Sequence, residues 1–481
     1  MIRTRPRTAL ILNRAATHLK VASNSNRTRR DSKQFKGAAH LKGSPTKIAV
    51  AIAILAAVWL QSAAAQERFH VNSQRLQASL EKLSEFGRNA DGGVTRLGYS
   101  DVEMAARKYV MQLMRDAGLT VRMDPVGNIF GRREGSEHLP ALLFGSHIDS
   151  VVHGGNFDGD VGSMGAIEVI RALNEGRVTT RHPLEVVVWT NEEGNHFGVG
   201  TMGSGIASGT IGPEILARKD EEGLTLADWL RKYGQDPAHF ADARIARGAL
   251  AGYLELHIEQ GPHLDEMKIP IGVVQGIVGI TRWRCVVTGF ANHAGTTPMD
   301  RRRDALAAAS RELLAVRDVV RSESGGQVGN VGFMKAEPGA INVIPGRVEF
   351  PVELRDLDAA KVERMWGRIA EKVKQIDKEE NVETVCEKSA VVKPARTDAA
   401  MQSAIRDAAK QLGLATMDLP SGAGHDAQEM ASLAPFGMIF VPSRGGISHS
   451  PKEFTSWTDV ANGAEVLYRT ILIVDKERDR K

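Results

Sequence analysis

Cysteine is nearly absent from this chain: two residues, Cys285 and Cys386, in 481. That count excludes a disulfide framework. Neither residue lies in the segments that offer metal ligands below. A single bridge between them and two separate buried thiols both stay open; export to an oxidising compartment would permit the bridge. A comfortable membrane span is missing as well. Segment 48–60 (IAVAIAILAAVWL) is apolar but falls short of the roughly 20 residues that cross a bilayer. A net positive charge is missing outside the N-terminus. Residues 1–65 hold 12 of the 62 Lys/Arg and one of the 58 Asp/Glu, so the rest of the chain is mildly acidic despite a formal net charge of +4. Nucleic-acid binding thereby loses its electrostatic motive. There are no internal repeats. What remains is ordinary globular composition, 42% hydrophobic and 25% charged, with length for about two to three domains.

The apolar segment follows Lys47 and precedes Ser62-Ala63-Ala64-Ala65. A basic flank, a short apolar core and an A-x-A end are the parts of a secretory signal peptide at about 47–65. This predicts export, to the periplasm, with cleavage after Ala65; the alternative is an uncleaved anchor at 48–60. Residues 1–46 are either a disordered basic tail or a start codon assigned too far upstream.

Residues 72–90 and 101–118 carry apolar positions such as Leu76, Leu80, Leu83 and Phe86 at helical spacing. Residues 119–131 alternate like strands around a turn. A short buried strand (141–144), a helix (163–174) and the strand LEVVVWT (184–190) follow, the βαβ grammar of an α/β layer fold. Residues 277–392 read as strand (281–289), helix (302–320), two strands (around 327–336 and 346–354), helix (359–378) and strand (382–390). That is the split βαβ pattern of a small ferredoxin-like domain. In that topology the first and last strands are neighbours, so Cys285 and Cys386 can face each other. After 393 come a helix (398–412), a strand (437–442) and a helix (458–475). The predicted architecture is α/β: a mixed-sheet catalytic domain in two parts (66–276 and 393–481) with an inserted α+β module at 277–392, behind an N-terminal extension and signal peptide (1–65).

Five segments place a potential metal ligand just beyond an apolar run: ALLFGSHIDS (141–150), GGNFDGD (154–160), VVVWTNEEG (186–194), LELHIEQG (254–261) and FVPSRGGISHS (440–450). They offer His147, Asp158, Glu193, His257 and His449, with Asp149 and Glu192 alongside. Each alone has a plainer reading. A lone His-x-Asp is usually structural, Asp158 can be a turn or cap residue, Glu192-Glu193 can be an exposed acidic turn, and single histidines are often surface groups. The joint pattern is different: histidines with a shared carboxylate are the ligand set of a two-metal hydrolase. Ligands of parallel sheets gather beyond the carboxyl ends of strands, and His147, Glu192 and Glu193 sit there. Asp149 can steady the far nitrogen of His147. Of Glu192 and Glu193, one can bind metal while the other takes a proton from water. His257, in an alternating stretch, points opposite the apolar face of Leu254, Leu256 and Ile258. His425, in the Gly-rich SGAGHDA, is left as a non-ligand that lines the site.

The motifs GSHIDSV, GGNFDGDVG, TNEEG, ELHIEQGP, NHAGTTPM, INVIPG, FPVELRD, SGAGHDA and ISHSP, in this order, make the chain resemble the amidase, hydantoinase and carbamoylase branch of the M20 metallopeptidase-like hydrolases from about residue 70 to 475. The resemblance implies two divalent ions per subunit, one held by His147, Asp158 and His257 and the other by Asp158, Glu193 and His449. Zinc is the expected ion, with manganese, cobalt or nickel as alternatives. It implies Glu192 as general base and Asp149 as the partner of His147. It also implies a homodimer through the inserted lid, with His293 reaching the neighbouring site to polarise the scissile carbonyl. Asn342, Arg355 and Gln260 would bind a substrate carboxylate. The implied activity is metal-dependent hydrolysis of the carbamoyl C–N bond of N-carbamoyl-L-amino acids. Alternatives are allantoate or another ureido acid, a dipeptidase or N-acyl amino acid deacylase, and an exported binding protein without catalysis. The HIEQG form of the His257 segment favours the carbamoylase branch, because related peptidases usually have an acidic residue there.

Overall fold

The computed structural model describes residues 70–477; the expected signal peptide lies outside the described residues. The chain enters through two helices, Ser73–Leu83 and Asp101–Asp116, whose first turns are capped by Asn72 and Ser100 accepting from the N–H groups of Arg75 and Glu103. The first helix stops well before residue 90. Six strands of the large sheet follow: β1 (Thr120–Met123), β2 (Ile129–Arg133), β3 (Ala141–His147), β4 (Leu184–Trp189), β5 (Leu250–Ile258) and β6 (Ile271–Ile277).

The chain then builds a second sheet from β7 (Gly279–Thr288), β8 (Asn292–His293), β9 (Val328–Asn330), β10 (Lys335–Glu337), β11 (Val343–Ile344), β12 (Arg347–Asp356) and β13 (Glu383–Val392), with β8 and β11 forming a separate two-stranded ladder. It returns to the large sheet with β14 (Ala395–Arg396), β15 (Thr416–Ser421) and β16 (Phe436–Val441). The strand expected around 327–336 is two short pieces, β9 and β10, both paired to β12.

The large sheet runs β1-β2-β4-β3-β5-β16-β6-β14, with β15 on β6. Its centre, β4-β3-β5-β16, is parallel; β2 pairs antiparallel to β4. Strands β3, β5 and β16 are buried at every residue, because helices or loops cover both faces. Leu142, Phe144, Leu256 and Val441 pack on one side with Ile167, Ile405 and Leu467; Leu143, Trp189, Tyr253 and Phe440 pack on the other with Ala427 and Met430. The alternation in 254–258 therefore separates two interior faces rather than core from solvent.

The second sheet, that of the expected lid, has the order β10-β12-β7-β13, all antiparallel. Helices Ala305–Ser322 and Ala359–Glu380, capped by Asp304 and Asp358, cover one face. Trp283, Val287, Phe350, Val352 and Leu354 point into that core, and Trp283 stacks on Trp366 at 4.1 Å between ring centroids and 11° between planes. Cys285 and Cys386 sit opposite each other on β7 and β13 and form a disulfide.

Candidate metal centre

The four parallel central strands point the same way, so their carboxyl ends share one edge. β3 ends on His147, β4 leads through Thr190 and Asn191 to Glu192 and Glu193, β5 carries His257 at its penultimate position, and the loop after β16 carries His449. Asp158 arrives on the loop after β3, immediately before helix Asp160–Glu175. Gly159 follows it at φ 66°, and a Cβ there would lie 2.4 Å from the His147 ring; only glycine lets this loop close on that imidazole. Three non-glycine residues at the same edge, Asn191, Gln260 and His449, also occupy the left-handed region at φ 52–58°. Such strain, of order 1 kcal/mol each, persists where the surroundings over-determine it, and it clusters at functional sites.

Asp158 divides its two oxygens. Oδ1 lies 3.1 Å from His257 Nε2 and 3.7 Å from His147 Nε2. Oδ2 lies 3.2 Å from His449 Nε2, and His449 Nε2 lies 3.5 Å from Glu193 Oε1. The structure thus brings together His147, Asp158 and His257 as one potential ligand group and Asp158, Glu193 and His449 as another. Glu192 Oε2 stands 3.6 Å from His147 Nε2. The Asp149 carboxylate is 3.6 Å from His147 Nδ1. That nitrogen is closer to the Asp149 carbonyl oxygen, at 3.1 Å. The carboxylate instead accepts the backbone N–H groups of Glu192 and Glu193 at 3.1 and 3.0 Å, so Asp149 braces the acidic turn at the end of β4 as well as facing His147.

Burial and crowding govern the charges. Burial lowers His147 to about 4, leaving it neutral and able to donate a lone pair. Burial opposes charge on His257 too, but the Asp158 carboxylate outweighs it and lifts the imidazole to about 9. Burial, followed by repulsion from Asp426, Glu193, Asp149 and Asp158, pushes Glu192 well above the usual carboxylate range. Glu193 moves the same way through burial and Asp158, and burial raises Asp149 to about 6. Among the described residues, Asp158, Glu192 and Glu193 form ion pairs with imidazoles only.

The residues suit divalent cations. Buried carboxylates are costly unless positive charge meets them, and His257 Nε2 is buried without a hydrogen-bond partner. Imidazole and carboxylate donors fit zinc and its first-row neighbours.

His425, expected to line the site as a non-ligand, lines the cavity and is buried beside His257, with ring centroids 4.4 Å apart and its Nε2 2.8 Å from Ser421 Oγ. Sequence reasoning missed other groups here. Glu255, two residues before His257 and therefore on its face of β5, completes a third cluster with His257 and His425. It accepts from Ser146, Tyr253 and the Ala427 N–H. The Glu-x-His alternation was the available signal. Asp426 and Glu453 are also buried acids of the site, with no signal in the local sequence.

Gln260 and Arg355 line the cavity over these groups, about 550 Å³, with Arg282, Ile280 and Glu429 on its walls. Gln260 Nε2 donates to Asp158 Oδ2 at 2.7 Å. Arg355, from β12 of the lid, donates from Nε to Glu353 and from Nη1 to the carbonyl of Gly422. His293, on β8, and Asn342, in the turn before β11, are exposed, with the Asn342 carbonyl accepting the Ala294 N–H, and they do not line the cavity of their own chain.

This geometry meets a known frame. The chain is 43% identical over 402 residues to the N-carbamoyl-L-amino acid amidohydrolase of Geobacillus stearothermophilus, covering 83% of this chain and 98% of that protein. It is 36% identical to the allantoate amidohydrolase of Bacillus subtilis, over 81% of this chain and 94% of the relative. A crystal structure of an amidase of the hydantoinase/carbamoylase family from Burkholderia multivorans superposes with a TM-score of 0.79 at 38% identity, covering 85% of this chain and 98% of the other. The pattern of peptidase family M20/M25/M40 matches residues 143–473, from the strand that carries His147 into the last helix. A match of that extent, with relatives aligned along nearly their whole length, places the chain in peptidase family M20/M25/M40 as a divalent-metal-dependent hydrolase.

Proposed function

We propose that this chain is a two-metal amidohydrolase that cleaves the carbamoyl C–N bond of N-carbamoyl-L-amino acids. The observation that carries this reading is Asp158, whose two oxygens face two separate ligand groups while Glu192 stands beside one of them. His147, Asp158 and His257 would hold one ion and Asp158, Glu193 and His449 the other; zinc is the first candidate, then manganese, cobalt or nickel. When bound, the ions supply positive charge that polarises the scissile carbonyl and acidifies water. Glu192, raised by burial and its acidic neighbours, takes the proton of the attacking water and returns it to the leaving nitrogen. Water adds to the carbamoyl carbon, the C–N bonds break, and the amino acid, ammonia and carbon dioxide leave.

Arg355 presents the guanidinium fork that pairs with a substrate carboxylate, with Gln260 beside it. Two of its nitrogens already serve Glu353 and Gly422, which holds the remaining Nη2 in place. His293 on β8 and Asn342 in the turn before β11 are both exposed, and in a lid-mediated homodimer they would enter the partner's cavity, His293 to polarise the carbonyl and Asn342 to hold the carboxylate. Export is part of the same reading: the 47–65 segment has signal-peptide form, and the Cys285–Cys386 disulfide suits an oxidising compartment.

The relative from Bacillus subtilis keeps allantoate, or another ureido acid, as the second substrate reading. A dipeptidase or N-acyl deacylase is disfavoured by His257, and a non-catalytic binding protein by Glu192. The test is ammonia release from the metal-loaded protein beginning at Gln66, offered N-carbamoyl-L-amino acids, allantoate, N-acyl amino acids and dipeptides. Chelator-sensitive release from a carbamoyl substrate is expected; amine release from acyl or peptide bonds alone would overturn the substrate class. Mixing His293→Ala with Glu192→Gln subunits should restore activity, and no recovery after confirmed exchange would remove His293 from the partner's site.

A further inference from the structure

We propose that Glu453 is a positioning residue that ties the loop carrying Asp158 to the loop carrying His449, and that the second metal position depends on this tie; the inference rests on the two-metal reading above. The two loops, residues 148–159 and 442–456, lie outside the strands and long helices. His147 and His257, by contrast, sit on β3 and β5, where neighbouring strands hold the backbone. Nothing in the ladders sets the distance from Asp158 to His449.

Glu453 is 4% exposed. Its Oε1 accepts the backbone N–H groups of Phe157 at 2.9 Å and Asp158 at 3.0 Å, across 295 residues of chain in the second case. Its Oε2 lies 2.8 Å from Ser448 Oγ, and that hydroxyl oxygen lies 2.9 Å from Asp158 Oδ2. One carboxylate therefore fixes both the backbone of Asp158 and the residue that precedes His449. Gly155 makes room for it: a Cβ at that position would stand 2.1 Å from the Glu453 carboxyl group, closer than any unbonded contact tolerates. Beneath the polar tie, Phe157 packs against Phe454 and Trp457 at 5.5 and 5.4 Å between ring centroids. That apolar seam keeps the loops joined when the carboxylate is removed, so the variants below should fold.

Because the tie holds His449, which serves the second ligand group alone, against the Asp158 that both groups share, its loss should fall hardest on the second position. Groups that orient a ligand from behind typically contribute about 10–100-fold in metal affinity. Glu453→Gln can keep both backbone contacts through its carbonyl oxygen and donate to Ser448, so geometry survives without the charge. Metal-free protein would be titrated with Zn²⁺ alone, reading bound zinc per subunit by equilibrium dialysis and the zinc-induced rise in Tm. Wild type should bind two ions. Glu453→Ala should bind the second ion about 10–100-fold more weakly and the first with a distinctly smaller loss, with a smaller zinc-induced Tm rise. Glu453→Gln should match wild type, and Gly155→Ala should match Glu453→Ala. The proposal is overturned if Glu453→Ala binds both ions like wild type, if both ions weaken alike, or if Glu453→Gln fails as alanine does. A wild-type protein that binds fewer than two ions overturns the two-metal reading and this one with it.

Discussion

The large sheet is covered on both faces and its central strands are buried throughout, whereas the lid sheet is covered by two helices on one face and alternates buried and open positions along β7 and β12. The same residue types mean different things in the two settings. On the open face of the lid, Arg282 and Arg284 pair with Glu353 and Glu349 across the strands; these are partly solvated pairs of small energetic weight. At the edge of the large sheet, Asp158, Glu192 and Glu193 are almost wholly inside, where a charge is tolerated only when something compensates it. A charged residue at the edge of the first sheet asks for a function; on the open face of the second, only those that also line the cavity, Arg282 and Arg355, ask for one.

If that contrast is right, the two regions should fail differently. The largest effect belongs to Glu192→Gln, which should lower kcat by about 10²–10⁴ while zinc content and Tm stay near wild type; a near-normal rate would remove Glu192 as the base. Next comes the disulfide, which closes a loop with a sequence separation of 101. In the chain-entropy account such a loop contributes about 4–5 kcal/mol. Cys386→Ser should therefore loosen the lid, seen as a lower first transition in calorimetry, with two ions still bound. Loss of metal along with the bridge would mean that the regions are not separable.

Arg355→Ala crosses the boundary, because the arginine belongs to the lid and its contact, Gly422, to the larger part. Losing a charge-assisted pair worth about 1.5–3 kcal/mol should raise KM by roughly 10–100-fold and change kcat little. An unchanged KM would take Arg355 out of carboxylate binding.

An effect confined to the pH profile concerns Glu312, buried under β13 and bonded to Thr384. Burial pushes its carboxyl up to about 7. The folded state then holds the proton more tightly than the unfolded chain, so lid stability is highest below the ordinary glutamate value and falls as pH rises from 4.5 to about 7. The change is roughly 3–4 kcal/mol by linkage. Glu312→Gln should flatten that slope, and an unaltered pH profile of the lid transition would count against it.

Much of the lid was legible in advance because its periodicities are simple. Strands with one open face alternate, its two helices are amphipathic, and the split βαβ order survived with only the strand at 327–336 broken in two. Most candidate ligands were legible because they lie at or just beyond the ends of apolar runs that share one sheet edge; Asp158 comes to it on the loop before helix Asp160–Glu175. Helices Met202–Ser208 and Leu226–Lys232 and strands β6 and β15 were not. The helices are short, and both strands lie beside stretches whose pattern does not distinguish buried strand from loop. Glu255 and Glu453 escaped for another reason: their meaning lies in what folds against them. No spacing rule joins Glu453 to Asp158, nearly three hundred positions earlier.

The stacked indoles of Trp283 and Trp366 give the lid an optical identity of its own. Trp283 lies two residues from Cys285 on the same face of β7, so the bridge sits within quenching reach of an excited ring. Breaking that sulfur–sulfur bond should brighten the tryptophan emission, and separating the two rings should erase an exciton couplet in circular dichroism. The other described tryptophans, Trp189, Trp229 and Trp457, lie outside this module. The protein therefore carries a label-free reporter of one half, whose signal can be followed while the chemistry of the other half is being assayed.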